Sequence, residues 1–133
     1  MRYLLLLGGT EGEDQGSIPP EQMAAVMEPW DRFGKELSEA GAFISGEGLH
    51  PSATATTVWH RAGGERIVTD GPFAETKEQI GGFYLLECKD LDEALAWAKK
   101  VPIGEGSAVE VRPVMDFSEF GYERPDAPAR TAG

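Results

Sequence analysis

The stretch VTDGPFAETKEQIGGFYLL, residues 68–86, joins two apolar segments through a turn centred on DGPF, residues 70–73. Because Gly71 precedes a proline, it is expected to be extended, while Pro72 fixes its own φ and has no N–H. An Asp side chain usually accepts from the N–H two residues ahead, which is missing here. The Asp70 carboxylate is therefore expected to reach the N–H groups after the proline, or to point at another group.

The rest of the chain predicts a strand, a helix, two or three strands, a helix and a strand. Apolar runs and alternating segments predict the strands, and apolar residues at three- and four-residue spacing predict the helices. The expected helices are 20–40 and 91–101, and the expected strands are 2–7, 42–49, 54–61, 66–69, 82–88 and 107–115. This order predicts an α+β, ferredoxin-like βαββαβ antiparallel sheet with both helices on one face. A second copy is the simplest cover for the other, apolar face, so we expect a homodimer.

Local signals set the ends of the helices. Pro20 suits a first helical turn, and Gly41 suits a C-terminal cap. Pro29 lies inside the apolar stripe 23–37, which is expected to face the core, and predicts a kink or break just before it. Asp90 with Glu93 forms a capping box. A similar match at 76–79 runs into a double glycine, so at most one turn of helix is expected there.

Four segments together resemble the DGPF branch of the YCII-related family of small bacterial proteins. They are DGPFAETKEQIGGFYLLE at 70–87, MRYLLLL at 1–7, GEGLHPSATATTV at 46–58 and VEVRPVM at 109–115. The resemblance covers roughly residues 1–116 and implies a single domain that assembles as a dimeric α/β barrel. Residues 117–133 are then a C-terminal extension, with a frayed end expected from residue 123 onward.

Composition excludes several classes of protein. The net charge of −11 argues against contacts with nucleic-acid phosphates, which need clustered Lys and Arg. Cys88 is the only cysteine, so the chain has no intrachain disulfide and no multi-cysteine metal site, and Cys88 is expected in the core. The apolar run 3–7 is too short for a signal peptide or a membrane span. We expect a cytoplasmic protein without membrane or nucleic-acid partners.

The resemblance also implies a site, because a His–Asp pair lining a pocket has been suggested in related proteins. Asp70 matches the motif, whereas His50 and His60 remain alternatives for the histidine. The expected substrate-binding residues are Glu47, Gly71, Pro72 and Phe73. A His held by a carboxylate is a workable general base near neutral pH, without a cofactor. No metal is expected, because His50, His60, Asp70 and Glu47 lack ligand spacing.

Two functions fit these residues, and the sequence favours the first narrowly. The first is a small cofactor-free enzyme in which Asp70 with one histidine performs acid–base chemistry on a small organic molecule. The second is a ligand-binding or regulatory module, linked by the resemblance to sigma-factor-type transcription control. An Asp70 that only caps its own turn would fit the second function, as would an exposed apolar patch over 117–122.

Overall fold

A computed structural model describes residues 1–10, 18–73 and 78–125. Its strands are β1 (Arg2–Thr10), β2 (Phe43–Gly48), β3 (Thr56–His60), β4 (Arg66–Asp70), β5 (Glu78–Glu87) and β6 (Ala108–Pro113). Its helices are α1 (Pro20–Glu39) and α2 (Leu91–Lys100), with short 3₁₀ turns at Ser52–Thr54, Ala62–Gly64 and Phe117–Phe120. The end of the expected frayed tail, from residue 126, lies outside the described residues.

Four strands form one antiparallel sheet in the order β2-β5-β1-β6. The apolar run of β1 occupies a central position, where it pairs with β5 on one side and β6 on the other. This order, with α1 after β1 and α2 after β5, is consistent with a ferredoxin-like fold. The prediction of a mixed α+β chain with two helices and an antiparallel sheet is confirmed.

Both helices pack on the same face of this sheet. Alternate β1 residues Tyr3, Leu5 and Leu7 are buried there, together with Phe33 and Leu37 of α1 and Ala94 of α2. The Phe33 ring packs edge-on against Tyr84 of β5, at 5.3 Å between centroids, and against Trp97 of α2, at 6.2 Å. The remaining β1 side chains point the other way. Leu4, Leu6, Phe83 and Leu85 are half-buried on what we call the open face.

Helix α1 begins and ends where its local chemistry predicts. Pro20 occupies the first helical position, where its missing N–H removes no helical hydrogen bond. At the other end Gly41 has a φ of 71°, which glycine adopts without strain. The N–H of Ala42 donates to the carbonyl of Leu37 at 2.9 Å, and the N–H of Gly41 donates to Ser38 at 3.1 Å. These two bonds form a Schellman cap.

The predictions for the interior of α1 were partly wrong. The helix runs through Pro29 without a break. Because Pro29 has no N–H, the carbonyl one turn before it has no helical hydrogen-bond donor. Residues 21–28 are exposed, so water can donate to this carbonyl instead. Only the C-terminal part of the apolar stripe reaches the sheet. Met23, Val26 and Met27 remain 42%, 40% and 41% exposed, whereas Phe33 is 3% exposed.

Helix α2 carries the predicted N-terminal cap. The N–H of Glu93 donates to Oδ1 of Asp90 at 2.9 Å, and Oε2 of Glu93 accepts from the N–H of Lys89 at 3.0 Å. In a usual capping box the Glu93 side chain would accept from the N–H of the N-cap residue, Asp90; here it accepts from the residue before it. Helical geometry ends at Lys100, before Pro102, as predicted.

Strand β5 starts earlier than the predicted 82–88. The double glycine lies inside the strand, because Leu7 pairs with Gly82 and Gly8 pairs with Ile80, which leaves Gly81 as a bulge opposite β1. Residues 78 and 79 belong to this strand, so the expected helical turn does not include them. The rest of that expected turn, residues 76 and 77, lies outside the described residues.

Strands β3 and β4 form a two-stranded sheet of their own, which we call the hairpin. The register pairs Thr56 with Asp70, Val58 with Val68 and His60 with Arg66. On the opposite face, Nε1 of Trp59 donates to Oγ1 of Thr69 at 2.8 Å. The predicted strands 54–61 and 66–69 are confirmed apart from their ends, but the hairpin they form is separate from the main sheet.

Candidate functional site

The DGPF motif closes the base of the hairpin. The N–H of Gly71 donates to the carbonyl of Ala55 at 2.7 Å, and Oγ1 of Thr57 donates to the carbonyl of Gly71 at 2.6 Å. These two bonds hold Gly71 at a φ of 95°, so the expectation of ordinary extended geometry was wrong. Only glycine adopts such a backbone without strain, which gives the motif a structural reason for this residue.

Asp70 is the last residue of β4, and its side chain is exposed. Within the described ranges its carboxylate makes no hydrogen bond or ion pair, so it does not accept from Phe73. The N–H of Ala74 lies outside those ranges. Pro72 is half-buried, but Phe73 is 77% exposed.

His60 belongs to the hairpin, whereas His50 precedes it in the chain. His60 faces Arg66 at the tip, four residues along the strand from the level of Asp70, which is about 13 Å. His50 follows β2 and precedes the turn that leads to Ala55, the residue bound to Gly71. His60 therefore lies far from Asp70 along the hairpin, whereas His50 lies five residues before Ala55 in the chain. Both imidazoles are exposed, and neither contacts Asp70.

A cleft of about 380 Å³, which we call the α1 cleft, opens between α1 and the ends of β2 and β5. Its side-chain walls come from Leu7, Met27, Trp30, Asp31 and Tyr84, and its backbone walls come from residues 46–48 and 81–82. Burial raises the pKa of the Tyr84 hydroxyl. The cleft thus combines aromatic surface with one carboxylate, one hydroxyl and exposed peptide groups.

Glu47 borders the α1 cleft through its backbone. Gly46 lies opposite Tyr84, whose ring faces the helices, and Glu47 lies opposite Phe83 on the open face. Because side chains alternate along a strand, the carboxylate of Glu47 belongs to the open face. One expected substrate-binding residue therefore adjoins the cleft without directing its side chain into it.

Four glycines shape the cleft, and they fall into two pairs. A Cβ at Gly46 would lie 2.7 Å from Cδ1 of Tyr84, and a Cβ at Gly82 would lie 2.9 Å from the carbonyl oxygen of Glu47. Close packing therefore requires these two glycines. A Cβ at Gly48 or Gly81 would meet nothing within 4 Å, and neither residue has a positive φ. Packing therefore requires glycine at neither position of the second pair, although both residues line the cleft.

Sequence reasoning missed Trp30, Asp31 and Tyr84 as site residues. Trp30 had been placed in a core stripe, because helical spacing does not show where the sheet ends beneath the helix. The paired glycines at 46 and 48 and at 81 and 82 were the available signal, since glycine in a strand marks a close approach.

The remaining features of the described residues carry less chemistry. Cys88 is buried at 2% exposure, and burial, together with the nearby Glu93 carboxylate, raises the pKa of its thiol to about 11. No group of three or more His, Cys, Asp or Glu in the described ranges could hold a metal ion. Within those ranges, neither helix is long and apolar enough to cross a membrane.

The family model of the YCII-related domain matches residues 1–118. This chain belongs to the YCII-related family. A curated relative from Rhizobium meliloti (strain 1021), described as an uncharacterized protein, is 44% identical over 96 residues, which are 71% of this chain and 77% of that protein. For this YCII-related protein the comparisons therefore establish the family, and its activity has to be argued from the site.

Proposed function

We propose that this YCII-related protein binds a small organic molecule in the α1 cleft. Its volume of about 380 Å³ lies within the roughly 300–1,000 Å³ typical of ligand pockets. Trp30 and Tyr84 offer flat apolar surface, and Asp31 and the Tyr84 hydroxyl offer polar contacts. The observation that carries the proposal is the pair Gly48 and Gly81, which both line the cleft although packing requires glycine at neither position.

Adding one methyl group at each of these glycines tests the proposal. Gly48→Ala and Gly81→Ala are expected to fold as wild type, because each new Cβ meets nothing within 4 Å. Gly34→Ala on α1 is the matched control, since its Cβ also meets nothing and the residue does not line the cleft. Thermal unfolding with a library of small metabolites should give shifts for wild type and Gly34→Ala that both cleft variants lose. Equal shifts in all four proteins would rule the cleft out as the binding site.

Acid–base chemistry at the rim of the cleft is a second candidate function. His50 follows Gly48, a cleft residue, by two positions, so their Cα atoms are at most about 7 Å apart. An imidazole at that rim would act as a general base on the bound molecule. His50→Gln should then abolish turnover of a ligand found in the thermal screen while the ligand still binds. Unchanged turnover in this variant would exclude His50 as the base.

Without catalysis, the same cleft would act as a sensor in a regulatory module, the role that the sigma-factor association of the DGPF branch suggests. The 3₁₀ turn Phe117–Phe120 supports such a contact surface. Phe117 and Tyr122 pack edge-on at 6.4 Å, and Phe120 is 72% exposed. Phe120→Ser should weaken the binding of a protein partner and leave ligand shifts unchanged; lost ligand shifts would contradict this division of roles.

The homodimer also belongs to this proposal. Leu4, Leu6, Phe83 and Leu85 leave an apolar stripe only half-buried on the open face of one chain, and a second copy would cover it as in a dimeric α/β barrel. Light scattering should give the mass of two chains for wild type. Leu6→Glu places a charge in the middle of that stripe and should give the mass of one chain.

A further inference from the structure

The hairpin leaves one of its faces uncovered. Val58 and Val68 lie opposite each other in the register, yet they are 52% and 65% exposed. An isolated two-stranded hairpin is marginally stable in water, so this apolar pair is expected to have a partner surface. We call this surface the hairpin face; its members are Thr56, Val58, His60, Arg66, Val68 and Asp70.

The hairpin face carries opposite charges at its two ends. Arg66 and His60 lie at the tip, and Asp70 lies at the base, with the valines between them. About 13 Å of strand separates Arg66 from Asp70, so they cannot pair within one chain. In the described residues the Arg66 guanidinium contacts only the carbonyl of Glu65, at 3.2 Å, and the Asp70 carboxylate has no partner.

The hairpin face is complementary to the same face of a second copy that is rotated by 180°. A two-fold axis that lies between two hairpins, perpendicular to their strands, places each strand antiparallel over its own copy. Position 68 then lies over 68, and position 66 lies over 70. We propose that the hairpin face is an interface between two copies of the chain, in which Arg66 pairs with Asp70 of the partner subunit around a centre of valines.

A second copy fits this face better than an unrelated acidic or basic partner. A uniformly acidic surface would leave Asp70 against like charge, and a uniformly basic surface would do the same to Arg66. Two chains of net charge −11 also repel each other, so their association needs local pairs of opposite sign. An isologous contact forms two such pairs at once, because the Arg66 end of each face meets the Asp70 end of the other.

The pairing completes a site that one chain lacks. His60 stands over position 56, directly beside position 70, so His60 of the partner subunit lies next to Asp70. The His–Asp arrangement is thereby formed between subunits and not within one. This inference rests on the proposed homodimer, in which the narrow hairpin face would add to the contact proposed for the open face, since specific interfaces bury roughly 1,200–2,000 Å².

Charge reversal tests the pairing. Arg66→Glu and Asp70→Arg each turn two ion pairs of the dimer into repulsions, and each should raise the dimer Kd by about tenfold or more. The double variant restores opposite signs and should return to within about threefold of wild type. Arg61→Glu is the matched control: it makes the same charge change as Arg66→Glu, but strand alternation places it on the opposite face. Sedimentation velocity over a range of concentrations measures each Kd.

The outcomes separate this inference from the homodimer itself. A wild type that is monomeric at every concentration overturns both. Leu6→Glu that dissociates while both reversals dimerise like wild type keeps the homodimer and overturns the hairpin pairing. A folded double variant that stays as weak as the single variants also overturns the pairing. Val68→Thr, which keeps shape and strand propensity, should weaken the dimer in the folded protein, and an unchanged Kd would contradict the valine centre.

Discussion

Gly46→Ala is expected to destabilise the protein although it adds only one methyl group. The new Cβ would lie 2.7 Å from Cδ1 and 3.1 Å from Cε1 of Tyr84, and 3.2 Å from the carbonyl oxygen of Phe83. Non-bonded carbon atoms prefer separations of about 3.5–4.0 Å, so the ring would have to move by roughly 1 Å. That ring is held at 5.3 Å, edge-on, by the buried Phe33.

The magnitude follows from two opposing effects. Overpacking of this kind typically costs about 1–3 kcal/mol. Replacing glycine in a strand by alanine returns about 0.5–1 kcal/mol, because the unfolded chain loses freedom. We therefore expect Gly46→Ala to lower the free energy of unfolding by about 1–2 kcal/mol. If the clash with the Tyr84 ring causes this loss, the additional change Tyr84→Leu should reduce it.

Gly48→Ala provides the control two residues along the same strand and on the same face. Its Cβ would meet nothing within 4 Å, so stability should stay level or rise by up to about 1 kcal/mol. Urea unfolding followed by circular dichroism measures both variants, with equal slopes expected since the exposed area hardly changes. If Gly46→Ala unfolds at the same urea concentration as Gly48→Ala, the contact between Gly46 and Tyr84 does not constrain the core.

Three other perturbations have definite expected results. Asp90→Ala removes the acceptor of the Glu93 N–H and should lower the free energy of unfolding by about 1 kcal/mol in urea titrations, whereas Asp90→Ser should lose less. Gly71→Ala forces a φ of 95° on a residue with a Cβ, so a loss of about 1–3 kcal/mol is expected, and a wild-type urea midpoint would refute this strain. The pKa of Cys88 is raised from 9.0 to about 11, so the contribution of its neutral thiol is intact below pH 9 and declines as the pH rises towards 11. Urea midpoints of wild type should therefore fall over this range more than those of Cys88→Ala; parallel declines would exclude the thiol.

Much of the fold could be predicted because its signals are local. The Schellman cap at Gly41, the start of α1 at Pro20 and the Asp90 cap each depend on residues within one helical turn. Local signals gave a wrong prediction where the outcome depended on exposure to solvent. Pro29 was expected to break α1, but its preceding turn is exposed, and water can satisfy the free carbonyl.

The candidate site could be predicted only in part, because it forms between distant segments. The glycines of β2 and β5 pointed to close contacts, yet the α1 cleft depends on the register that sets Gly46 under Tyr84 and on where α1 leaves the sheet. The same register separates His60 from Asp70 by the length of the hairpin, which two residues in a sequence motif do not reveal.

The sequence by itself determined the order of strands and helices, most of their ends and the YCII-related family, because backbone preferences and apolar periodicity act over a few residues. Only the tertiary structure decided which apolar residues became core, that β3 and β4 stand apart from the main sheet, and that a cleft opens beside Trp30 and Tyr84. These outcomes depend on pairing between strands far apart in the chain, where a shift of one residue exchanges the two faces of a strand.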